Sequence, residues 1–466
     1  MPDRPAIATT PSLKETKTKP PARRRRWPDV VAIALVALVI VSALISAVTP
    51  GLLPARPSFD EDTRKIAAAL IFVASYLALA IGKIPGLNID RAGVALVGAS
   101  LMVASGVLSL EDAYKAIDLD TITLLLGMMI VVASLRLAGF FAIATTWVVE
   151  HAKSPMTLLC AVTATSGIFS AFLVNDAICL VLALPVLELT QRMGRKPVPY
   201  LLAVAMASNV GSTATITGNP QNIMIGSFSH IPYTAFALAL GPVAMVGLVI
   251  TVGLVALFHR EEFSGGSRMT AVKVNIRVNR VLVARALVAT ALMVALFFMG
   301  QPPAKAAIVI GGLLLLTRRV KSERIYAEID WSLLLMFAGL FIIVAGAQRA
   351  LLTPGLVAHV SRLHLDQIPV LSVVTAVLSN VVSNVPAVLM MRPFVVSLPD
   401  HATAWLTVAM ASTLAGNFTI LGSIANLIVA QKAATRGVEI SFWHYFQVGA
   451  PLTIMTLVIG TLWMLA

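Results

Sequence analysis

The residues able to do chemistry in this sequence sit in four short polar tracts, each set inside a long apolar stretch. Two tracts resemble each other: Ala203 to Asn222 reads AVAMASNVGSTATITGNPQN, and Thr407 to Asn426 reads TVAMASTLAGNFTILGSIAN. Laid over one another without a gap, they share Val204–Ser208 with Val408–Ser412, Thr215 with Thr419, Ile216 with Ile420, Gly218 with Gly422 and Asn222 with Asn426. The other two tracts each place an Asn after a Ser between two apolar arms, Ser170 to Asn175 and Ser379 to Asn384.

A polar break within an apolar segment leaves backbone N–H and C=O groups that lipid cannot satisfy. Such breaks persist where they line a cavity, and a matched pair in two halves of a chain points to a transport site. Helices restarting after Asn175, Asn384, Gly218 and Gly422 would direct free N–H groups at an anion or oxyanion. Unwound carbonyls opposite them suit Na⁺, and Gly211, Gly218, Gly416 and Gly422 let the backbone bend and approach a ligand closely. The expected substrate contacts are Asn175, Ser212, Thr213, Thr215, Asn219, Ser383, Asn384, Asn417 and Thr419. Thr217 and Ser423 offer further hydroxyls. Coupling to a cation or proton is expected at Asp176, with Asn175, Gly218, Asn222, Asn384, Gly422 and Asn426.

Asp176 is the sharpest of these. A carboxylate at membrane depth costs at least about 2.5–3.5 kcal/mol and is a functional candidate by default, as proton carrier or cation ligand. The bland alternative is an Asp that only caps the helix it opens. Its counterpart in the second tract is Val385, so the halves differ chemically.

The elements that must position these groups are membrane helices. Of 466 residues, 58% are hydrophobic and 12% charged, too apolar for a soluble enzyme. The net charge of +13 lies in short loops, where it sets topology rather than binding nucleic acid. Cys160 and Cys179 stand in apolar sequence without metal-ligand spacing and read as buried small hydrophobes. No clustered His ligands, Ser/His/Asp set or nucleotide loop is present in the sequence, so an enzyme is not expected, nor any cofactor or metal beyond a co-transported Na⁺ or H⁺.

The expected fold is all-α and polytopic, with about 11 transmembrane helices. Residues 1–29 read as a basic cytoplasmic tail ending in Arg23–Arg26, and 30–59 hold an uncleaved first span, Val30 to Val48. Further spans are expected at Ile66–Gly82, Ala92–Leu108, Thr121–Trp147, Tyr233–Phe258, Val281–Gly300, Ala304–Leu316, Trp331–Leu351 and Phe446–Leu465. Hairpins cover Met156–Leu189 and Ile368–Leu398, and broken spans Tyr200–Ser227 and Ala402–Gln431. Lys and Arg alternate between loops only if each hairpin enters and leaves on one side, the first from inside and the second from outside. Residues 60–260 and 281–466 then form two inverted repeats, each with a re-entrant hairpin and a broken helix, joined by a cytoplasmic linker at 261–280. The N-terminus falls in the cytoplasm and the C-terminus outside a bacterial-type plasma membrane. A tandem of ordinary hairpins is the competing arrangement, and the polar tips make no sense in it. Arg136 and Arg392 read as snorkelling charges, and no Lys or Arg lies within the four tracts.

At VNDA (Val174–Ala177), GSTATITGNPQN (Gly211–Asn222), SNVVSNVPAVL (Ser379–Leu389) and GNFTILGSIAN (Gly416–Asn426), the chain resembles the ion transporter superfamily. It is most similar to the branch of arsenical-pump (arsenite permease) proteins, citrate–metal symporters and NhaD-type antiporters. The resemblance runs from about Ile66 to the C-terminus. It implies eleven spans, two re-entrant hairpins, often a homodimer, and elevator-like movement of a substrate-carrying part. Divalent-anion/sodium symporters carry Ser-Asn-Thr at both tips, whereas here the tips read Val-Asn-Asp and Ser-Asn-Val. That departure leans away from dicarboxylates and toward an arsenite-like or other small inorganic anion. The expected function is therefore secondary active transport of a small anion or oxyanion by alternating access, coupled to Na⁺ or H⁺. The alternative is a Na⁺/H⁺ antiporter working through Asp176. The partners are the small anion and the lipid bilayer, with no nucleic acid.

Overall fold

A computed structural model describes residues 61–81, 89–264, 279–316, 320–351 and 363–466. The basic tail at 1–29, the first span at 30–59 and most of the linker at 261–280 lie outside the described residues. Every regular element among the described residues is helical. Six of these helices are long and apolar enough to cross a membrane: Leu119–Ala138, Pro155–Leu173, Tyr233–Phe258, Arg280–Phe298, Trp331–Leu351 and Phe442–Leu465.

The first half begins with α1 (Glu61–Ile81), α2 (Arg91–Ala104) and α3 (Leu119–Ala138). Asp90 caps α2 by accepting from Gly93 N at 2.8 Å, and Asp118 caps α3 by accepting from Thr121 N at 2.8 Å. The span expected over Thr121–Trp147 is two helices. Gly139 takes φ 90°, a left-handed stop that ends α3, and α4 (Phe140–His151) starts anew. The first hairpin follows as α5 (Pro155–Leu173) and α6 (Asn175–Arg192). Pro155 at the first turn and a Ser154–Thr157 capping box fix where α5 enters. The broken span is α7 (Pro197–Ser212), a short 3₁₀ turn at Ile216–Gly218, and α8 (Pro220–Ser229). The long α9 (Tyr233–Phe258) closes the half.

The second half repeats this order, without a counterpart of α4 among the described residues. It comprises α10 (Arg280–Phe298), α11 (Pro303–Leu315), α12 (Trp331–Leu351), the hairpin α13 (Ile368–Val382) and α14 (Asn384–Val395), the broken pair α15 (His401–Ala415) and α16 (Ile424–Ala434), and α17 (Phe442–Leu465).

Packing exchanges partners between the halves. The second helix of each half lies on the third helix of the other: α2 on α12, and α11 on α3. Gly339 meets the Ala95 backbone and Gly127 meets the Ala307 backbone, each so closely that an added Cβ would sit 2.5–2.6 Å from main-chain carbon. Within each half the entering hairpin arm packs on the first part of the broken helix, α5 on α7 and α13 on α15. The closing helices α9 and α17 also pack on each other. The core is centred on α7 and α15, which are buried almost throughout.

Charged groups sort to two ends. At one, Lys196 pairs with Glu261 (2.9 Å), Arg436 with Glu188 (2.8 Å), and Tyr200 donates to Glu262 (3.1 Å). At the other, Arg349 pairs with Asp112, and Ser227 donates to Asp118 at 2.8 Å. Arg136, expected to snorkel, instead pairs with Glu328 of the other half. Cys179 is buried, whereas Cys160 is exposed rather than buried as expected, and both are free thiols.

Candidate functional site

Each hairpin turns through a single residue. Val174 joins α5 to α6 at φ 64°, ψ 116°, and Ser383 joins α13 to α14 at φ 79°, ψ 157°. Positive φ in residues with a Cβ is strained by about 1–3 kcal/mol and persists where the surroundings impose it, often at ligand sites. The helices that follow, α6 and α14, start without a side-chain cap. Their first N–H groups and positive dipole ends are therefore left to other partners. The broken helices differ. Asn219 caps α8 by accepting from Asn222 N at 2.8 Å, and Ser423 caps α16 by accepting from Ala425 N at 3.3 Å. Of the four converging N-termini expected, two carry their own caps.

The breaks themselves are held by a matched device. Asn222 Nδ2 donates to the carbonyls of Ser212 (3.1 Å) and Thr215 (3.0 Å). Asn426 Nδ2 donates to the corresponding carbonyls of Gly416 (2.8 Å) and Thr419 (3.2 Å). These are carbonyls that the unwound helix leaves unpaired, and buried carbonyls need a donor. Gly218 is required by space, since a Cβ there would lie 2.1 Å from the Ser212 carbonyl oxygen.

A second device ties the halves together. Asn209 on α7 donates through Nδ2 to Asn417 Oδ1 (2.8 Å) and Asn426 Oδ1 (2.9 Å), both in the other half. Its Oδ1 accepts from Asn175 Nδ2 (3.0 Å) and Ser423 Oγ (3.0 Å). The aligned residue, Thr413 on α15, accepts from Asn219 Nδ2 (3.1 Å) and Gln221 Nε2 (3.2 Å) of the first half. Both hairpins are fastened to their broken helix in the same register. Ser170 bonds Ser208 Oγ (2.8 Å), and Ser379 donates to the carbonyl of Ser412 (3.1 Å). With its amide nitrogen toward these acceptors, Asn384 donates to Ser379 Oγ (2.6 Å) and the carbonyls of Gly422 (3.2 Å) and Ser412 (3.3 Å).

The two tips meet at one cavity of about 40 Å³. Asn175 and Asp176 of the first hairpin line it, as do Ser383, Asn384 and Val385 of the second and Ser423 and Ile424 at the start of α16. Pro220 and Gln221 complete the wall from α8, and Arg91, Leu79 and Leu333 from the helices around it. Asp176 does not cap its own helix; it faces the Ala425 N–H in the first turn of α16. Two buried amide oxygens, Asn175 Oδ1 and Asn380 Oδ1, have no hydrogen-bond partner.

Of the expected site residues, Asn175, Asp176, Ser383 and Asn384 are brought together at this cavity. Ser423 joins them, and the others stand in the bracing around it. Ser212 and Thr213 donate to the Asn209 carbonyl (2.8 and 3.3 Å), Thr215 to the Ala171 carbonyl, and Asn417 to the Met206 carbonyl (3.2 Å). Thr217 bonds the Tyr233 hydroxyl at 2.8 Å. Thr419 enters through its carbonyl, bonded by Asn426, and Gly422 N–H closes a turn onto that same carbonyl at 3.0 Å.

Sequence reasoning missed Asn209, Thr413, Gln221, Asn380 and Arg91. Asn209 and Thr413 occupy one aligned position in the two similar tracts, and a polar side chain there in both halves was the available signal. Arg91 carried none, because a cation next to a loop reads as a topology charge.

A separate opening at the far end of α14 is lined by Arg392, Asp118, Lys115 and Gln348. There the Arg392 guanidinium lies 4.1 Å over the Phe228 ring.

Comparison with known proteins bears on the family and the fold. A family described as Citrate transporter matches residues 76–415. The silicon efflux transporter LSI3 of Oryza sativa subsp. japonica is 30% identical over 85% of this chain and 96% of its own. A putative transporter arsB of Dictyostelium discoideum is 24% identical, covering 84% of this chain and 90% of its own. Among solved structures, the crystal structure of the Alcanivorax borkumensis YdaH transporter superposes with a TM-score of 0.53 at 11% identity, covering 94% of this chain and 97% of that one. It supports the fold alone.

Proposed function

The chain belongs to the citrate transporter family, a family of integral membrane transporters, and from that premise we propose that it carries a small anion or oxyanion by alternating access, coupled to Na⁺ or H⁺. The observation that carries this reading is the meeting of Asn175–Asp176 and Ser383–Asn384, from opposite halves, at one cavity faced by two uncapped helix N-termini. Such ends bind oxygen-bearing anions through free N–H groups. The cavity has room for about three water-sized groups, closer to the oxyacids of arsenic or silicon than to citrate. The unpartnered oxygens of Asn175, on the cavity, and of Asn380, in the second hairpin, offer what a dehydrated Na⁺ lacks, and Asp176 supplies a site for a proton. The cavity is assigned to the cytoplasmic side, because Lys83 and Arg91 lie in a short loop and short basic loops stay inside, and the inverted repeats exchange its access. Ser212, Thr213, Thr215, Asn219, Asn417 and Thr419 come into contact with cargo as the breaks open, with Gly218, Asn222, Gly422 and Asn426 holding the coupling ion. A homodimer is the assembly this reading favours.

Purified protein in liposomes tests the proposal. Uptake of arsenite, silicic acid, sulfate, phosphate or citrate should depend on an imposed Na⁺ or pH gradient, and the absence of flux for every solute refutes it.

Asp176 beside the open Asn175 oxygen also favours a second reading, exchange of Na⁺ for H⁺. Na⁺/H⁺ exchange in vesicles free of any transported anion, abolished by Asp176→Asn, would select it over the first.

A further inference from the structure

Arg91 is the first residue of α2, outside all four polar tracts, yet it lines the cavity where the hairpin tips meet. It is half-buried and makes no ion pair with any described carboxylate. The acid beside it, Asp90, is turned back to cap α2. The neighbouring stretch 82–88, Gly-Lys-Ile-Pro-Gly-Leu-Asn, contains no acid. A guanidinium offers five N–H donors and accepts nothing, and half-burying it without an acceptor among the described residues is unfavourable. On the same cavity, Asp176 in its ionised form only accepts.

We propose that Arg91 is a cargo-binding residue: it donates to the oxygens of a hydroxylated oxyacid whose O–H groups point to Asp176. This rests on the reading of the chain as an oxyanion carrier and narrows it. A donor-only and an acceptor-only group of opposite charge on one small cavity match a solute that is both acceptor and donor and carries little net charge. A fully ionised, hydroxyl-free anion satisfies Arg91 but meets repulsion at Asp176. Arg91 stands on α2, which packs on α12 rather than on either hairpin. It therefore contacts cargo only while the tips face it, and its effect is confined to one side of the membrane.

The test combines labelling and flux. Phenylglyoxal modification of Arg91 in the full-length protein, mapped by mass spectrometry, should be slowed by monomeric silicic acid or arsenous acid at neutral pH and not by sulfate. In Asp176→Asn the same protection should need about tenfold more oxyacid, the loss expected for one charge-assisted hydrogen bond. In flux assays Arg91→Gln should raise KM from the cytoplasmic side about tenfold with a smaller change in kcat, and Arg91→Lys should restore part of it. Equal protection by sulfate, or no protection by any oxyacid, overturns the inference, as does an Arg91→Gln carrier with unaltered KM. Should the unmodified protein move no solute at all, the carrier reading fails instead, and the labelling result still stands or falls by itself.

Discussion

Asn175 and Asn384 occupy the same step of two hairpins that turn the same way, yet the residue after them is Asp176 in the first half and Val385 in the second. The difference tracks what each tip faces. Asp176 lies against the first turn of α16, facing the Ala425 N–H that Ser423 Oγ also accepts from at 3.3 Å. Val385 shares the cavity wall with the start of α8, where Pro220 stands in place of Ile424 and removes one backbone N–H, and Gln221 is the counterpart of Ala425. An acid at 385 would meet one backbone donor fewer. One half thus carries charge and the other only dipoles, although the scaffolding bonds of the two correspond almost residue by residue.

Moving the charge breaks this comparison most severely. Asp176→Asn is expected to lower gradient-driven flux roughly a hundredfold or more, the scale of losing a group that transfers a proton. The exchange Asp176→Val with Val385→Asp should not restore it. Recovery of flux in the double variant, measured in liposomes, would show that the halves are interchangeable after all.

The cross-braces come next. Asn209→Ala strips partners from the buried amides of Asn175, Asn417 and Asn426, at about 1–3 kcal/mol for each group left unsatisfied. Thr413→Ala removes a hydroxyl that meets only Asn219 and Gln221 among such side chains at 3.2 Å or less. Asn209→Ala should therefore lower the thermal unfolding midpoint more than Thr413→Ala. The reverse order would deny Asn209 its central place.

Glycines sharpen the comparison on a smaller scale. A Cβ at Gly218 meets the Ser212 carbonyl at 2.1 Å, whereas one at Gly422 meets the Gly416 carbonyl at 2.8 Å. Gly218→Ala should destabilise by about 1–3 kcal/mol, with Gly422→Ala at the lower end of that range. Denaturation of the two variants side by side decides it.

The mildest effect is expected where the closing helices of the halves meet. His259 Nδ1 donates to the Val255 carbonyl (3.0 Å), so its Nε2 accepts from His444 Nε2 at 2.8 Å. Burial, above all, holds His259 below the ordinary imidazole range, and His444 and Lys196 push the same way against Val255 and Glu262. The folded state then binds fewer protons than the unfolded chain. Stability contributed by this pair is present above about pH 6.5 and is lost as pH falls through the lowered value. His444→Ala should flatten that acid-side decline in the unfolding midpoint.

Much of this arrangement was legible in the sequence. Polar tracts in apolar runs marked both hairpins and both breaks, and the gapless match of Asn222 with Asn426 marked the residues that pair the freed carbonyls. Gly139 was not legible as a stop, because an isolated glycine in an apolar run is compatible with continuous helix, and only the backbone shows it at φ 90°. Asn209 and Thr413 are different residue types at one position, so identity matching passed over them, and their partners lie some two hundred residues away. Arg91 was hidden for the opposite reason: its loop position already had an adequate explanation in membrane topology.

The exchange of partners between second and third helices has a consequence for biogenesis. While the ribosome is still making the middle of the chain, α2 has no α12 to lie against. At about 5–20 residues per second it waits on the order of ten seconds or more. Through that interval the close-packing face of α2, with Ala95 awaiting Gly339, lies open to lipid, to the insertion machinery or to a chaperone. A polypeptide released before Trp331 would lack the means to bury it.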